Sequence, residues 1–280
     1  MDNKKIIRPI FFGNELNGNA KRSFHNLCNE VGQYYYTNSG ARIQIVDYQN
    51  NKHVKYQFDN GHTGWAALRF IKKGMIGDPY FMNCYGGYFG SGPYNEDDKA
   101  YDAWNSIMTR CGDTRKVIMY GYEDVTVCEE WKCYQTFAEW YHAYLSKLNP
   151  NCPEAYHIDK DIFQWNQQNK IYSPNTCCLI PARLNKVLEN LHGKPNRFGL
   201  PVGVNAAANG RYRASISIYE NGIGRNYPLG VYNTVEEAFN AYAIAKKDRI
   251  LKIAKDFYDM GYILPEVYMA IQNIEIKPNI

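Results

Sequence analysis

Residues 203–245 read GVNAAANGRYRASISIYENGIGRNYPLGVYNTVEEAFNAYAIA, and the fold of the C-terminal third of the chain follows from this stretch. Arg211–Tyr219 alternates polar and apolar residues at the period of a half-buried strand. With Gly203-Val204 before it and Tyr227–Tyr232 after it, the pattern predicts three short strands. Asn209-Gly210 supplies the positive backbone dihedrals that a tight hairpin turn demands, and so joins the first two strands. Thr234, followed three residues on by Glu237, is a capping-box pattern that opens a helix with Ala238, Tyr242 and Ala245 on its apolar face. Alternation places Tyr212, Ala214, Ile216 and Ile218 against that helix and leaves Arg211, Arg213, Ser215 and Ser217 outward. Outward guanidinium forks at 211 and 213, with Arg225 on the neighbouring hairpin, suit phosphates and guanine edges; the alternative is a solvated sheet face.

Upstream, the texture is strand, loop, strand, helix. Tyr156–Ile162 alternates as a strand, Gln164–Lys170 is polar, and Ile171–Ile180 leads into a helix over Ala182–Leu191. His157 and Asp159, two apart on a strand, project to one face. Two amphipathic helices precede this unit. One carries Tyr101, Trp104, Ile107 and Met108, with Asp97 or Asp98 as its cap; the other runs from Trp131 through Phe137 and Trp140 to Leu145 and stops near Asn149-Pro150. Further upstream, Val31–Tyr36, Ala41–Tyr48 and His53–Phe58 alternate between turn signals, which predicts a β-meander forming a small barrel. The Gly- and Tyr-rich stretch Tyr85–Tyr94 reads as a linker or surface loop. The whole is a modular α+β chain: an N-terminal β module with its loop over 1–95, a central unit over 96–195, and a C-terminal module over 196–280.

Composition narrows the function classes. At 280 residues, 45% hydrophobic and 21% charged, the chain is neither collagen-like, coiled-coil nor grossly disordered. No run approaches the length of a membrane span and the N-terminus lacks a secretory apolar stretch, so the expectation is a cytoplasmic protein without a membrane partner. Eight cysteines, none spaced Cys-x-x-Cys, predict reduced buried thiols rather than a disulfide frame or a zinc knuckle. Gly86–Gly92 lacks the Lys-Ser/Thr of a phosphate loop, so no nucleotide cofactor is expected. A net charge of +4 announces no polyanion by itself. The 25 tyrosines fit base stacking, and with it an RNA or single-strand reading, or simply an AT-rich coding sequence.

The C-terminal module resembles the ethylene-response-factor (Apetala-type) DNA-binding domain. The resemblance rests on Gly203-Val204, Gly210–Ile216, Leu229–Thr234, Glu236–Ala238 and Ala241–Ala245, about a fifth of the chain. It implies a sheet laid in the major groove of double-stranded DNA, with Arg211, Arg213, Ser215, Ser217, Arg225 and Asn205 as contacts. Asn205 and Ala207 stand where that family carries arginines, and Pro228 where it carries Trp, so no base preference transfers.

The central unit resembles the HNH, or His-Me finger, nucleases of phage homing endonucleases, on Tyr156–Asp161, Tyr172–Cys177 and the helix bearing Asn185. That likeness implies a ββα-metal unit in which Asp159 and Asn185 hold Mg²⁺ or Mn²⁺ against a scissile phosphate. It places the general base at Lys160, where the family has His. An unperturbed lysine, with a pKa of about 10.4, is protonated at neutral pH. Either His157 acts as base instead, or the unit is a degenerate scaffold that only binds DNA, with Lys160 on a phosphate. The N-terminal segments Asn38-Ser39-Gly40 and Ile71–Gly74 resemble modules found ahead of phage nuclease domains. There Arg42, Lys52, Lys55, Lys72 and Lys73 are either phosphate contacts or a solvated face. The resemblances together imply a site-directed DNA endonuclease of phage or mobile-element type, with a non-catalytic DNA-binding regulator as the alternative.

Overall fold

A computed structural model describes residues 30–189, 191, 195–220 and 223–278. The described residues form two compact units that divide between Phe81 and Met82. In the first, β1 (Tyr34–Tyr36), β2 (Arg42–Asn50), β3 (His53–Phe58) and β4 (Thr63–Ala66) form an antiparallel meander in sequence order. Alternation sends Ile43, Ile45, Val54 and Phe58 inward, where they meet Ile71 of α1 (Leu68–Lys72) and Ile76. The two segments singled out in the sequence meet here: the backbone N–H of Asn38 donates to the Gly74 carbonyl at 2.8 Å.

The second unit is built on an aromatic core. Asp98 accepts a hydrogen bond from the Ala100 N–H and so caps α2 (Lys99–Gly112); α3 (Thr114–Tyr120) follows directly. The predicted helix from Trp131 to Leu145 is divided at Cys133 into α4 (Glu129–Lys132) and α5 (Tyr134–Leu145). Trp104, Trp131, Tyr134 and Phe137 bury their rings together, and the Trp104 indole N–H donates to the Trp131 carbonyl at 2.7 Å.

The Gly- and Tyr-rich stretch is a packed wall of this core rather than a linker. Tyr88 bridges to Cys133, and the Gln135 amide clamps the Tyr94 backbone with bonds of 3.1 and 2.9 Å. Gly92 permits that clamp, because a Cβ there would lie 2.2 Å from the Gln135 Oε1.

β5 (Val125–Val127) pairs in parallel with β7 (Lys170–Tyr172), while β6 (Tyr156–Asp159) pairs antiparallel with β8 (Cys178–Pro181). β8 runs without a loop into α6 (Ala182–Leu188). The predicted order of strand, loop, strand and helix is present except that the run Ile171–Ile180 is divided by a turn into β7 and β8, which belong to separate sheets. The intervening loop is held by Gln164, 1% exposed, whose amide bonds the backbone of Lys160 and both backbone groups of Ile171.

Near the C-terminus, β9 (Val204–Ala206), β10 (Tyr212–Glu220) and β11 (Ile223–Tyr232) form a three-stranded antiparallel sheet in the order β11-β10-β9. Asn209 and Gly210 both take positive φ in the β9–β10 connection. The sheet packs Ala214 and Ile216 on Ala238, Phe239 and Tyr242 of α7 (Val235–Asp259), whose N-terminus carries the full Thr234/Glu237 capping box. α7 is longer than its sequence signals suggest. Its second half, Ile250, Ile253, Ala254 and Phe257, leaves the sheet and enters the core of the ββα region with α8 (Pro265–Gln272). One helix thus belongs to both hydrophobic clusters and fixes the sheet to the β6–β8–α6 region. Among the described residues, no helix is long and apolar enough to cross a membrane.

Candidate nucleic-acid interface

β6 presents His157 to solvent while its alternate residue, Asp159, turns inward. The difference arises at the strand end. Asp159, 8% exposed, accepts hydrogen bonds from the N–H groups of Asp161 and Ile162, both at 2.8 Å on one carboxylate oxygen, and so holds the turn into a short 3₁₀ segment. Burial and the nearby Asp161 push its carboxyl up to about 6.

Two substitutions separate its structural roles. Asp159→Ala strands two N–H groups and should lower stability by about 1–3 kcal/mol. Asp159→Asn keeps an acceptor and removes the buried charge. The folded value lies above the unfolded value of about 4, so the contribution of Asp159 is full below that pH and lost as pH rises through about 6. In urea unfolding at pH 7.5 the Asn variant should therefore match or exceed the parent, and a loss equal to that of Ala would refute this role.

Lys160, also 8% exposed, is committed elsewhere. Its ammonium lies 3.0 Å from Asp161 and 4.8 Å from the centre of the Tyr122 ring, and Lys170 pairs with the same carboxylate. Burial alone would lower the Lys160 ammonium, but Asp161 and Tyr122 outweigh it and hold it above the usual lysine value. It stays protonated inside an ion-pair and cation–π cluster, unsuited to take a proton from water.

His157 has a different partner. The Asn185 side-chain amide, on the first turns of α6, lies 3.3 Å from His157 Nδ1, across 28 residues of sequence. Two clefts meet at this imidazole, and among the described residues His157 is the one that lines both. The first, about 940 Å³, runs between α6, α7 and the C-terminal sheet, past Lys186, Lys246, Arg249, Asn205, Ser217 and Asn226. The second, about 1060 Å³, runs along α2 and β6, with Lys99, Asp102, Arg110, Glu154 and Asn185 among its walls. Asp159 and Lys160 line neither.

The sheet residues divide. Asn205 and Ser217 are exposed and line the first cleft; Arg211 and Arg213 are exposed and do not. Ser215 is not outward as the alternation predicts: it is 7% exposed. The reason is a bulge between Ala214 and Ser215, where the β11 partner jumps from Gly230 to Pro228 and the Ser215 N–H turns to the Gly203 carbonyl at 2.9 Å. Arg225 is exposed, but its register opposite Ile218 sets it on the face of Ile216, away from that of Arg213.

Arg183, Lys186, Lys246 and Arg249 escaped the sequence reading. The signal was present as two basic pairs three residues apart, each one helical turn, with the first pair flanking Asn185. Lys246 is pushed down to about 8 by burial and by Arg249. Arg183 pairs with Glu154 at 3.2 Å and stacks over Phe257, and Lys186 pairs with Glu189 at 2.7 Å. The described cysteines are free thiols, and burial pushes Cys111 and Cys128 up to about 11 and Cys177 up to about 12. No family model, curated protein or solved structure matches the chain.

Proposed function

We propose that this chain binds double-stranded DNA and hydrolyses a phosphodiester at His157. The observation that carries the reading is the placement of one exposed imidazole, in contact with Asn185, where two clefts converge, the first of them lined by Arg183, Lys186, Lys246 and Arg249. An imidazole moves protons near neutrality better than any other side chain. In the proposed step the Asn185 amide presents its oxygen to His157 Nδ1–H, the free Nε2 takes a proton from a water, the hydroxide oxygen bonds to phosphorus, the bond to the leaving sugar oxygen breaks, and that oxygen is protonated from solvent. Asn185 holds the ring and so acts as a positioning residue.

Asp159 and Asn185 do not fit a shared Mg²⁺ or Mn²⁺ site: Asp159 turns inward, is 8% exposed and lines neither cleft, whereas Asn185 lines the second cleft beside His157. A divalent cation needed for cleavage would arrive with the phosphodiester rather than be held by this pair.

The sequence resemblance of Tyr156–Asp161, Tyr172–Cys177 and Asn185 to His-Me finger nucleases, and of Gly203–Ala245 to ethylene-response-factor domains, supports the same reading. Arg211 and Arg213, exposed beyond the cleft, are then contacts to the duplex rather than to the scissile strand. The fixed Lys160 favours a second reading, a DNA-binding regulator without catalysis. The two separate in one experiment. Supercoiled plasmid incubated with the protein and Mg²⁺, Mn²⁺ or chelator should acquire new ends only with the metal. Salt-sensitive retention without ends would establish the regulator, and neither ends nor retention would refute both.

A further inference from the structure

The four cations that line the first cleft are not alike. Arg183 is held by Glu154, Lys186 by Glu189, and Arg249 is engaged as well. Lys246 differs. Among the described residues it makes no hydrogen bond and no ion pair, although it is partly buried on α7 with Arg249 one turn away. An ammonium shielded from water beside a like charge gives up its proton more easily, and burial and Arg249 push Lys246 down to about 8 against a smaller opposite pull from Glu189. About a tenth of such an amine is neutral at pH 7, against fewer than about one in a thousand for an ordinary lysine.

A neutral amine bound to nothing, in a cleft of about 940 Å³, has room for a carbon electrophile and no hydrogen bond to give up first. Amines so placed condense with aldehydes and ketones. The same cleft holds proton acceptors: His157 and Glu189 are the imidazole and the carboxylate on its described walls, and Glu189 is already drawn to Lys186. The aldehyde that a DNA strand can bring is the C1′ of a deoxyribose that has lost its base.

We propose that Lys246 is the nucleophile of a second activity, cleavage of DNA at abasic sugars through a Schiff base. This rests on the DNA-binding reading above, which brings the aldehyde to the cleft. The Lys246 nitrogen bonds to C1′ of the ring-opened sugar, and the carbonyl oxygen leaves as water with one proton from the amine and one from solvent, so that a protonated C=N bond remains. His157 removes a proton from C2′, that electron pair becomes a C2′–C3′ double bond, and the C3′–O bond breaks with its electrons on the departing phosphate. Water then adds to the imine carbon, which releases the unsaturated sugar aldehyde and returns Lys246 as the free amine. Nothing is oxidised or reduced.

The test is borohydride trapping with full-length protein and a labelled duplex carrying one abasic site, in chelator so that metal-dependent hydrolysis is silent. Borohydride reduces the imine to a secondary amine and fixes the protein to the DNA as a band on a denaturing gel. The parent should form this adduct. Lys246→Arg keeps the charge but offers no nucleophile, and should lose the adduct at least about twentyfold. It should melt within about 2 °C of the parent, so the loss cannot come from unfolding. Lys252→Arg, at an exposed lysine of the same helix, should trap as the parent does.

A second signature is the pH dependence. Around Lys246 stand Tyr242 and Arg249 on its own helix, Arg183, Lys186 and Glu189 from the α6 side, and His157 from β6. With its amine near 8, the trapping rate should rise with pH and level off above about 8.5, whereas an ordinary lysine would give a rate still rising past about 9. An adduct undiminished in Lys246→Arg, or none with a parent that retains the duplex, would overturn the Schiff base and leave DNA binding standing. Labelling of Lys246 by 2-deoxyribose 5-phosphate and borohydride, with no adduct on the duplex, would assign the amine to a small aldehyde and overturn the abasic strand as its substrate. A parent that neither traps nor retains duplex at low salt would overturn the DNA-binding reading as well.

Discussion

Replacing His157 with alanine is expected to lower the rate of DNA cleavage by about 10²- to 10⁴-fold, the range for removal of a general base. Duplex affinity should change less than about threefold, since one imidazole carries little of a polyanion interface. The expectation follows from exposure and position. His157 is on the solvent side of β6, touches Asn185, and lies where the two clefts meet. Because its side chain is exposed, the alanine variant should also unfold within about 0.5 kcal/mol of the parent, as exposed substitutions generally do. Lys160→Gln gives the contrasting pattern: the ion pair with Asp161 and the contact with Tyr122 are lost, and stability falls before chemistry does. A His157→Ala enzyme as fast as the parent would remove this residue from the reaction.

The second large effect is structural. Gly203→Ala should destabilise the protein by about 2–5 kcal/mol, from a positive φ that costs about 1–2 kcal/mol for a residue with a Cβ and from overpacking that costs about 1–3. Gly203 has φ +83°, and a Cβ there would lie 2.1 Å from the buried Tyr242 ring. Its carbonyl also receives the Ser215 N–H at the bulge, so the glycine cannot shift without disturbing β10. Since β9 and α7 close on one another at this point, the sheet should loosen from the helix, with the cleft beside His157 losing a wall. Circular dichroism melts of the variant report the loss directly. A change of less than about 0.5 kcal/mol would mean that Tyr242 moves aside without cost, as at a tolerant surface site.

What the sequence disclosed was what is encoded locally. The Thr234/Glu237 box, the Asn209-Gly210 turn and the alternation of β10 each act within a few residues, and each is present. The strand, loop, strand, helix order around His157 is equally local, since β8 passes directly into α6. What escaped depends on distant packing. The polar run Lys246-Lys247-Asp248-Arg249 masks the continuation of α7, which is secured by Ile250, Ile253 and Phe257 entering a core built mostly from the preceding half of the unit. The Tyr85–Tyr94 stretch looks unanchored because its anchor, Gln135, lies 41 residues from Tyr94. Ser215 is buried by a bulge whose cause, the jump from Gly230 to Pro228, belongs to the neighbouring strand.

The site was legible in the same uneven way. His157 and Asn185 were named from the sequence and are in contact, although nothing local tells that 28 residues of chain return the helix to the strand. Asp159 was named as well, yet its turn-holding role arises only where the strand ends. The cationic wall of α6 and α7 could have been noticed as two one-turn pairs, but only the fold places them across a single cleft.

The account stands most directly on cleavage by His157→Gly with and without added imidazole, read as new DNA ends under Mg²⁺. It predicts metal-dependent ends for the parent, near-complete loss in the glycine variant, and recovery when free imidazole occupies the vacated space. Parental cleavage undiminished in the glycine variant, or a loss that imidazole cannot restore while binding is intact, would contradict the assignment of His157 as the base.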